Sequence, residues 1–327
     1  MAYNLKLSIF RISLKKKGDS NNNLIPFNEF FKESYPNLNK KKAYKSFIDE
    51  YVNSFGSKFR LNLDGTKGIS AVDTNEFTIK SKSNIINGAI IGGQTGILQE
   101  LFKQNNSEKP TGNLDTDDVA TLSYFIKLWT PYDHDSGILM VQSYSNLTVT
   151  DLIKGHLGTF FNKRNFSLIF TNYIPNSVKE HYKKNSNVYK VAFVKDSISK
   201  GKRKLINPLF AEFDNLQVRI EVSGFKKDVT DFWDKFGASD RLINSNLEDF
   251  DIKEDDDFET VAYYKDEKGR KSNTSIKRDL DIKPTIFLND ELKKAGTDLF
   301  DYLKIKEHTD FILDEIKNEI GYKIKDD

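Results

Sequence analysis

The N-terminal segment of the chain alternates apolar and polar residues. In "YNLKLSIFRISL", Leu5, Leu7, Ile9 and Ile12 recur near every second position, which predicts a half-buried strand. The next segments, "PFNEFFKESY" and "KKAYKSFIDEYVNSF", carry apolar residues at helical spacing and predict two short helices. Residues 58–102 contain short apolar runs separated by glycine, a sequence pattern typical of strands and turns.

Two apolar runs flank a short polar segment in "FIKLWTPYDHDSGILMVQSYS". Pro131, Asp133 and Gly137 suit a turn, so the segment predicts a hairpin of two strands. The alternative is a metal or acid/base site at Asp133, His134 and Asp135. Because neighbours along an extended segment point to opposite faces, these three side chains do not easily share one ion, and we favour the turn.

The remaining periodicities predict the domain organisation. "NLTVTDLIKGHLGTFFNKR" is an amphipathic helix and "FSLIFTNYI" a buried strand, whereas "PNSVKEHYKKNSN" is the most linker-like stretch. This stretch predicts an N-terminal domain of residues 1–180 and a C-terminal domain of residues 181–327. The second half predicts strands at "NVYKVAFV", "PLFAEF", "LQVRIEVSGF" and "FETVAYYK", a helix around "DVTDFWDKFG", and helices at "NDELKKAGTDLFDYLKI" and "EHTDFILDEIKNEIGY".

Strands mixed irregularly with helices predict the α+β class, with largely antiparallel or mixed sheets, flanking helices and a helical C-terminus. The 327 residues are 38% hydrophobic and include 25 Phe and 14 Tyr, ample for a core. The absence of cysteine excludes disulfides and thiolate chemistry. No continuous apolar segment of the kind found in signal peptides or membrane spans occurs, so we expect a soluble cytoplasmic protein, with a composition typical of AT-rich bacterial genomes.

Charge is nearly balanced overall, with 50 basic and 48 acidic side chains, but it is segregated. The segment Glu248–Glu259, "EDFDIKEDDDFE", carries eight acids and one lysine, whereas Lys268–Arg278, "KGRKSNTSIKR", carries five bases and no acid. The acidic tract is either a solvated linker or a mimic of nucleic-acid charge that docks on a basic surface and is autoinhibitory.

The strongest signal for binding is "KDSISKGKRKLINP", which we interpret as a flexible basic loop between two strands. Such a loop can lie along a phosphate backbone and release counterions. Lysine outnumbers arginine, so we expect recognition of backbone charge and not of base sequence. The alternative is a loop that only increases solubility. The candidate nucleic-acid-binding residues, from this loop and the second basic segment, are Lys200, Lys202, Arg203, Lys204, Lys268, Arg270 and Lys271.

A metal-dependent nuclease is the enzymatic alternative. Asp214 and Glu221, with Lys226 beyond, resemble a degraded restriction-endonuclease pattern, but Ser223 stands where the lysine is expected. Only this alternative requires a cofactor, Mg²⁺ or Mn²⁺; otherwise we expect no metal or cofactor. Asp281 and Lys283 repeat the spacing in a weaker context. The glycine-rich run "NGAIIGGQTGI" lacks the Gly-Lys-Ser/Thr ending of a phosphate-binding loop and predicts hairpin turns or bulges.

The stretch "YFIKLWTPYDHDSGILMVQSYSNLTVTDLI", a hairpin followed by a helix, resembles the uncharacterised proteins encoded in bacterial phage-defence and prophage islands, which are also cysteine-poor and α+β. The resemblance covers mainly Ser123 to Phe161. It implies a component that acts with nucleic acid or a partner protein. Our leading prediction is therefore a non-catalytic antiviral-defence component that binds nucleic-acid backbone or a protein partner, inside an oligomer. The alternatives are the nuclease and a structural scaffold protein.

Overall fold

The chain folds into two compact units. The computed structural model describes residues 3–19, 23–71, 77–80, 83–104, 108–224, 259–276 and 283–322. One unit consists of Met1–Tyr173 with Ile286–Asp327, and the other of Ile174–Thr285. The predicted boundary near residue 180 lies close to the first junction. The chain returns to the first unit after Thr285, however, so the second unit is an insertion and not a C-terminal domain.

The strands, in chain order, are β1 (Leu5–Lys16), β2 (Arg60–Leu61), β3 (Lys67–Ser70), β4 (Thr78–Lys80), β5 (Ile85–Gln94), β6 (Gln99–Leu101), β7 (Gly112–Leu114), β8 (Ala120–Trp129), β9 (Ser136–Tyr144), β10 (Phe166–Asn172), β11 (Asn187–Lys195), β12 (Val218–Ser223), β13 (Glu259–Lys265), β14 (Lys271–Ile276) and β15 (Ile286–Phe287). The α-helices are α1 (Phe27–Ser34), α2 (Lys40–Asn53), α3 (Thr150–Asn162), α4 (Asn176–Asn185), α5 (Lys200–Ile206) and α6 (Tyr302–Glu319). This content confirms the α+β class.

The first unit is organised around an antiparallel sheet in the order β10-β1-β9-β8-β5-β3-β2, with β15 beside β1 and β4 beside β5. The alternation in β1 gives the strand it predicts. The hairpin of β8 and β9 is also confirmed, and Trp129 pairs with Ile138 at its closed end. Every residue of β9 is buried because both faces of the sheet are covered.

Helices α1, α2 and α3 cover one face of this sheet and α6 covers the other. The register places Phe10 of β1 and Leu128 of β8 on the face that meets α3, where the ammonium of Lys154 lies 4.8 Å from the Phe10 ring centroid. The core under these helices is aromatic. The Phe30 ring is surrounded, at centroid distances of 4.4–5.6 Å, by Phe31, Phe47, Phe161 and Phe166.

The C-terminal region contains one α-helix where the sequence predicts two. The segment before it forms turns and a short 3-10 helix, Asp290–Leu292. Helix α6 begins after Asp301, whose side chain accepts hydrogen bonds from the backbone N–H groups of Leu303 and Lys304. Ile312 and Ile316 are buried as predicted. Phe311 is 72% exposed, because it lies about 100° around the helix from Ile312 and faces away from the sheet.

Three of the four glycines in "NGAIIGGQTGI" lie inside β5 and not in turns. A Cβ atom at Gly93 would lie 1.7 Å from the backbone oxygen of Ala120, and one at Gly88 would lie 2.2 Å from the Phe77 ring. Only Gly96, with φ of +84°, occupies a turn conformation that favours glycine. Close approach of neighbouring chain segments therefore explains this run.

The second unit has a four-stranded antiparallel sheet in the order β12-β11-β13-β14. The stretch interpreted as a linker forms α4, whose Tyr182 packs on Val191, Phe193 and Tyr264 of the sheet. The predicted strand "PLFAEF" is a 3-10 helix, Pro208–Glu212. The predicted helix around "DVTDFWDKFG" and the acidic tract before Glu259 lie outside the described residues. None of the helices in the described ranges is both long and apolar enough to cross a membrane.

Candidate functional site

The predicted basic loop of the second unit is a helix. Residues Lys200 to Ile206 form α5, and the Ser199 side chain accepts a hydrogen bond from the Lys202 backbone at its N-terminus. Lysine, arginine and leucine are good helix formers, and a serine at the N-cap favours a helix start. The flexible-loop interpretation is therefore corrected to a short helix that fixes the spacing of its charges.

Three of the four predicted cations of α5 are accessible. Lys200 and Lys204, four residues apart, are exposed on the same side of the helix, and Lys202 is half-buried. None of the three forms an ion pair with a carboxylate in the part of the chain that the structure describes. Arg203 instead is only 9% exposed, so it does not belong to this accessible surface.

The second predicted basic group lies at the other end of the same sheet. In the antiparallel pair of β11 and β13, Asn187 is opposite Lys265, so the turn that carries Lys268 and Arg270 adjoins the start of β11. Helix α5 follows the other end of β11, and the two ends of this strand are eight residues or roughly 25 Å apart. The two groups do not form one continuous patch along the sheet.

Within this turn the cations differ. The Arg270 guanidinium forms an ion pair with Asp266, 2.6 Å between Nε and Oδ2, with side chains only 14% and 7% exposed. The same carboxylate accepts hydrogen bonds from the backbone N–H groups of Lys268 and Arg270, at 3.0 and 2.8 Å. Arg270 therefore stabilises the hairpin and is not free for a ligand. Lys271 is exposed at the first position of β14.

The nuclease candidates are not arranged as a metal site. The Glu221 carboxylate lies 3.1 Å from the Lys190 ammonium and 2.7 Å from Nε of Arg219. Hydrogen bonds from Arg219 and Lys190 hold the pKa of Glu221 below its ordinary value. Asp214 is exposed in the segment before β12. Among the described ranges no group of three His, Asp or Glu side chains could hold a metal; Lys226 and Asp281 fall outside those ranges.

The short polar segment between β8 and β9 is a turn that forms hydrogen bonds to the start of α1. The backbone oxygens of His134 and Tyr132 accept hydrogen bonds from Phe27 and Asn28, at 3.1 and 2.7 Å. Nδ1 of His134 accepts a hydrogen bond from the Ser136 backbone at 3.0 Å. These contacts satisfy the first N–H groups of α1, which supports the structural interpretation of the turn.

A cavity of about 380 Å³ in the first unit contains a cluster of polar residues that the sequence reasoning did not identify. It lies between the C-terminal ends of α2 and α3 and the start of β2. Its lining includes Glu50, Ser54, Arg60, His156, Lys163 and Arg164. The only local signal is the basic pair Lys163 and Arg164 directly after α3; basic residues are common at helix C-termini because cations there interact favourably with the helix dipole.

The comparisons with known proteins do not assign a family. No family model and no curated protein matches the sequence. One solved structure that aligns with the chain is "Crystal structure of the di-domain ARO/CYC StfQ from the steffimycin biosynthetic pathway", with 9% identity over 95% of this chain and 94% of that chain. The TM-score is 0.19, which supports no statement about fold or function.

Proposed function

We propose that this protein is a non-catalytic component that binds the phosphate backbone of a nucleic acid through α5 of its second unit. The observation that carries the proposal is a set of lysines on this helix, Lys200, Lys202 and Lys204, that form no ion pair with any carboxylate of the described residues. Elsewhere in the same unit, Lys183 and Lys190 are paired with glutamates. Cations without a carboxylate partner are available to an external anion.

The chemistry of α5 favours backbone contacts over base recognition. Lysine is a compact point charge that binds phosphate without the bidentate geometry by which arginine reads guanine. The single arginine of the helix, Arg203, is buried. Binding of this type releases counterions from the nucleic acid, so its affinity falls steeply with salt. We also propose that the protein is cytoplasmic and, as the resemblance implies, that it acts in an antiviral-defence system.

A protein partner is the second candidate, because apolar side chains are exposed next to the lysines. Leu205 is 79% exposed and Leu209 is 65% exposed. Exposed leucines beside a charged surface are typical of protein–protein contacts. A second copy of this chain, or a separate acidic protein, would bury these leucines while its carboxylates pair with the lysines.

The test measures binding to a fluorescent DNA duplex and to an RNA of the same sequence by anisotropy at several salt concentrations. Lys200, Lys202 and Lys204 are replaced together by Ala. Each phosphate contact contributes about 0.9 to the slope of log affinity against log salt, so loss of three contacts should reduce the slope by about 3. The matched control replaces Lys41, Lys42 and Lys45, which are exposed on α2 of the first unit, by Ala.

An equal loss of affinity in both triple variants would show that binding follows net charge alone and would contradict the α5 site. The protein-partner candidate is tested separately by light scattering. Leu205→Ser with Leu209→Ser should dissociate an assembly that the wild-type protein forms. An assembly that survives this double substitution would remove the second candidate.

A further inference from the structure

The cavity of the first unit combines cationic side chains with buried polar atoms that have no hydrogen-bond partner among the described residues. Arg60, Lys163 and Arg164 line it, together with a single carboxylate, Glu50. Glu50 is already engaged: it forms an ion pair with Arg164 and accepts a hydrogen bond of 3.1 Å from the Tyr35 hydroxyl. Two cations, Arg60 and Lys163, therefore remain uncompensated within the lining.

Arg60 is held in place but not satisfied. One terminal nitrogen of its guanidinium donates a hydrogen bond to the Ser54 backbone oxygen. Its Nε atom is buried, and no acceptor among the described residues reaches it. A buried donor of a charged group without an acceptor is unfavourable by several times the net value of an ordinary hydrogen bond. A ligand with an anionic oxygen would supply the missing acceptor.

His156 adds a hydrogen-bond acceptor to the cationic donors of the cavity. Its ring is 7% exposed, and its Nε2 atom lies 2.9 Å from the Ser54 hydroxyl oxygen. The Ser54 hydroxyl donates to the Tyr51 backbone oxygen at 2.6 Å, so it accepts from Nε2–H of the histidine. Nδ1 then carries a lone pair, and no described residue donates to it.

The same geometry argues against a nucleophilic Ser54. The proton of its hydroxyl is committed to a carbonyl, and the histidine nitrogen beside it carries a proton of its own, so His156 is not placed as a general base for this serine. Burial, together with the charges of Arg60 and Lys163, lowers the pKa of His156 to about 4, so the imidazole is neutral at pH 7. The contact between Ser54 and His156 therefore orients the two side chains for binding a ligand.

We propose that this cavity binds a small molecule that carries a phosphate monoester, with Arg60 and Lys163 contacting the phosphate oxygens and Nδ1 of His156 accepting a hydrogen bond from a hydroxyl of the ligand. Two uncompensated cations match the charge of a phosphate monoester, close to −2 at neutral pH. The volume of about 380 Å³ lies within the range of small-molecule sites and exceeds the need of a single ion.

The site is independent of the nucleic-acid contact proposed above, because all of its residues belong to the first unit. Lys163 is the residue best suited to a test. It is exposed at the end of α3, so its replacement removes a cation without disturbing the core. Lys45 on α2 is the matched control, since it is also an exposed lysine of the first unit but does not line the cavity.

The experiment titrates the full-length protein with inorganic phosphate, glycerol 3-phosphate and glycerol, followed by calorimetry and by the NMR signals of ¹⁵N-labelled histidine. We expect both phosphates, but not glycerol, to bind and to shift the His156 signals. The Lys163→Ala variant should bind about tenfold more weakly, the effect of one charge-assisted hydrogen bond. The Lys45→Ala variant and the triple α5 variant should bind like the wild-type protein.

The proposal is overturned if the phosphates leave the His156 signals unchanged, or if Lys163→Ala and Lys45→Ala bind phosphate equally. If Lys163→Ala weakens binding but inorganic phosphate and glycerol 3-phosphate bind equally well, the cavity is an anion site. The proposed hydrogen bond between His156 and a ligand hydroxyl would then be contradicted. Arg60→Gln provides a second variant. If it remains folded by circular dichroism, it should lose phosphate binding more completely than Lys163→Ala.

Discussion

A buried ion pair joins α6 to the central sheet of the first unit. The side chain of Lys127, near the end of β8, is 0% exposed, and its ammonium contacts the carboxylate of Asp310 on α6. It also donates to the backbone oxygen of Lys306 at 3.3 Å. Replacing Asp310 by Ala removes this carboxylate from the buried ammonium.

The structure sets the size of the effect. Breaking a buried ion pair by removing one partner destabilises a protein by about 3–5 kcal/mol. The Asp310 side chain is 26% exposed, so water can reach the vacated end of the pair, and we expect about 3 kcal/mol. Replacing Lys127 by Met in the same chain removes the buried charge as well, so the double variant should recover most of this loss.

Urea unfolding followed by Trp129 fluorescence measures this stability, in a Trp233→Phe background so that the signal reports the first unit. Trp129 follows Lys127 on the same face of β8, and its ring lies 4.9 Å from that of Tyr322 after α6. The matched control is Asp314→Ala. Asp314 lies on the same helix, but its side chain is 72% exposed in its pair with Lys317, so we expect a loss below about 1 kcal/mol.

The reasoning would be refuted by a loss in Asp310→Ala that is no larger than that in Asp314→Ala. It would also be refuted if Lys127→Met with Asp310→Ala were as unstable as Asp310→Ala alone. In either case the buried ammonium would not be the source of the destabilisation.

Three further predictions concern separate parts of the fold. The pKa of His156 is lowered from 6.5 to about 4, so between these pH values the unfolded chain binds a proton at this histidine that the folded chain does not. The free energy of unfolding should therefore fall as pH decreases from about 6.5 to 4, and the urea midpoints of His156→Gln should lack this pH dependence. Gly93→Ala should lower the thermal midpoint strongly because its Cβ would overlap the backbone of β8, whereas Gly155→Ala, in an open position of α3, should raise it slightly; similar midpoints would contradict the steric argument. Asp266→Ala should destabilise the second unit by about 2 kcal/mol, seen as faster amide exchange in β13 and β14, because it removes three hydrogen bonds from one buried carboxylate; unchanged exchange would contradict this role.

The parts of the fold that the sequence predicts well are those with a strong local period. Strand β1, the β8–β9 hairpin and helices α2 and α3 all have apolar residues at spacings of two or of three and four, which depend only on the conformation of the segment itself. Helices α4 and α5 lack this signal. They are short and polar, so their sequences have the composition of a loop although lysine and arginine favour helix.

Long-range features are not visible in a local pattern. Strand β15 has two residues, and its pairing with β1 joins Leu7 to Ile286. Nothing in a two-residue segment indicates such a partner, so the return of the chain to the first unit is missed. The cavity is missed for the same reason, because Arg60 and His156 are distant in sequence and their individual contexts are ordinary.

The insertion has a consequence for the order in which the protein is made. Both β10, which ends at Asn172, and β15 pair with the same edge of β1, at Phe10 and at Leu7. During synthesis, residues 174–285 leave the ribosome before β15 and α6 exist. Throughout that interval Asp310 is not yet available to the ammonium of Lys127, and part of the β1 edge is open to unintended strand pairing. A slow step in translation after residue 285 would prolong this interval and favour aggregation of the nascent chain.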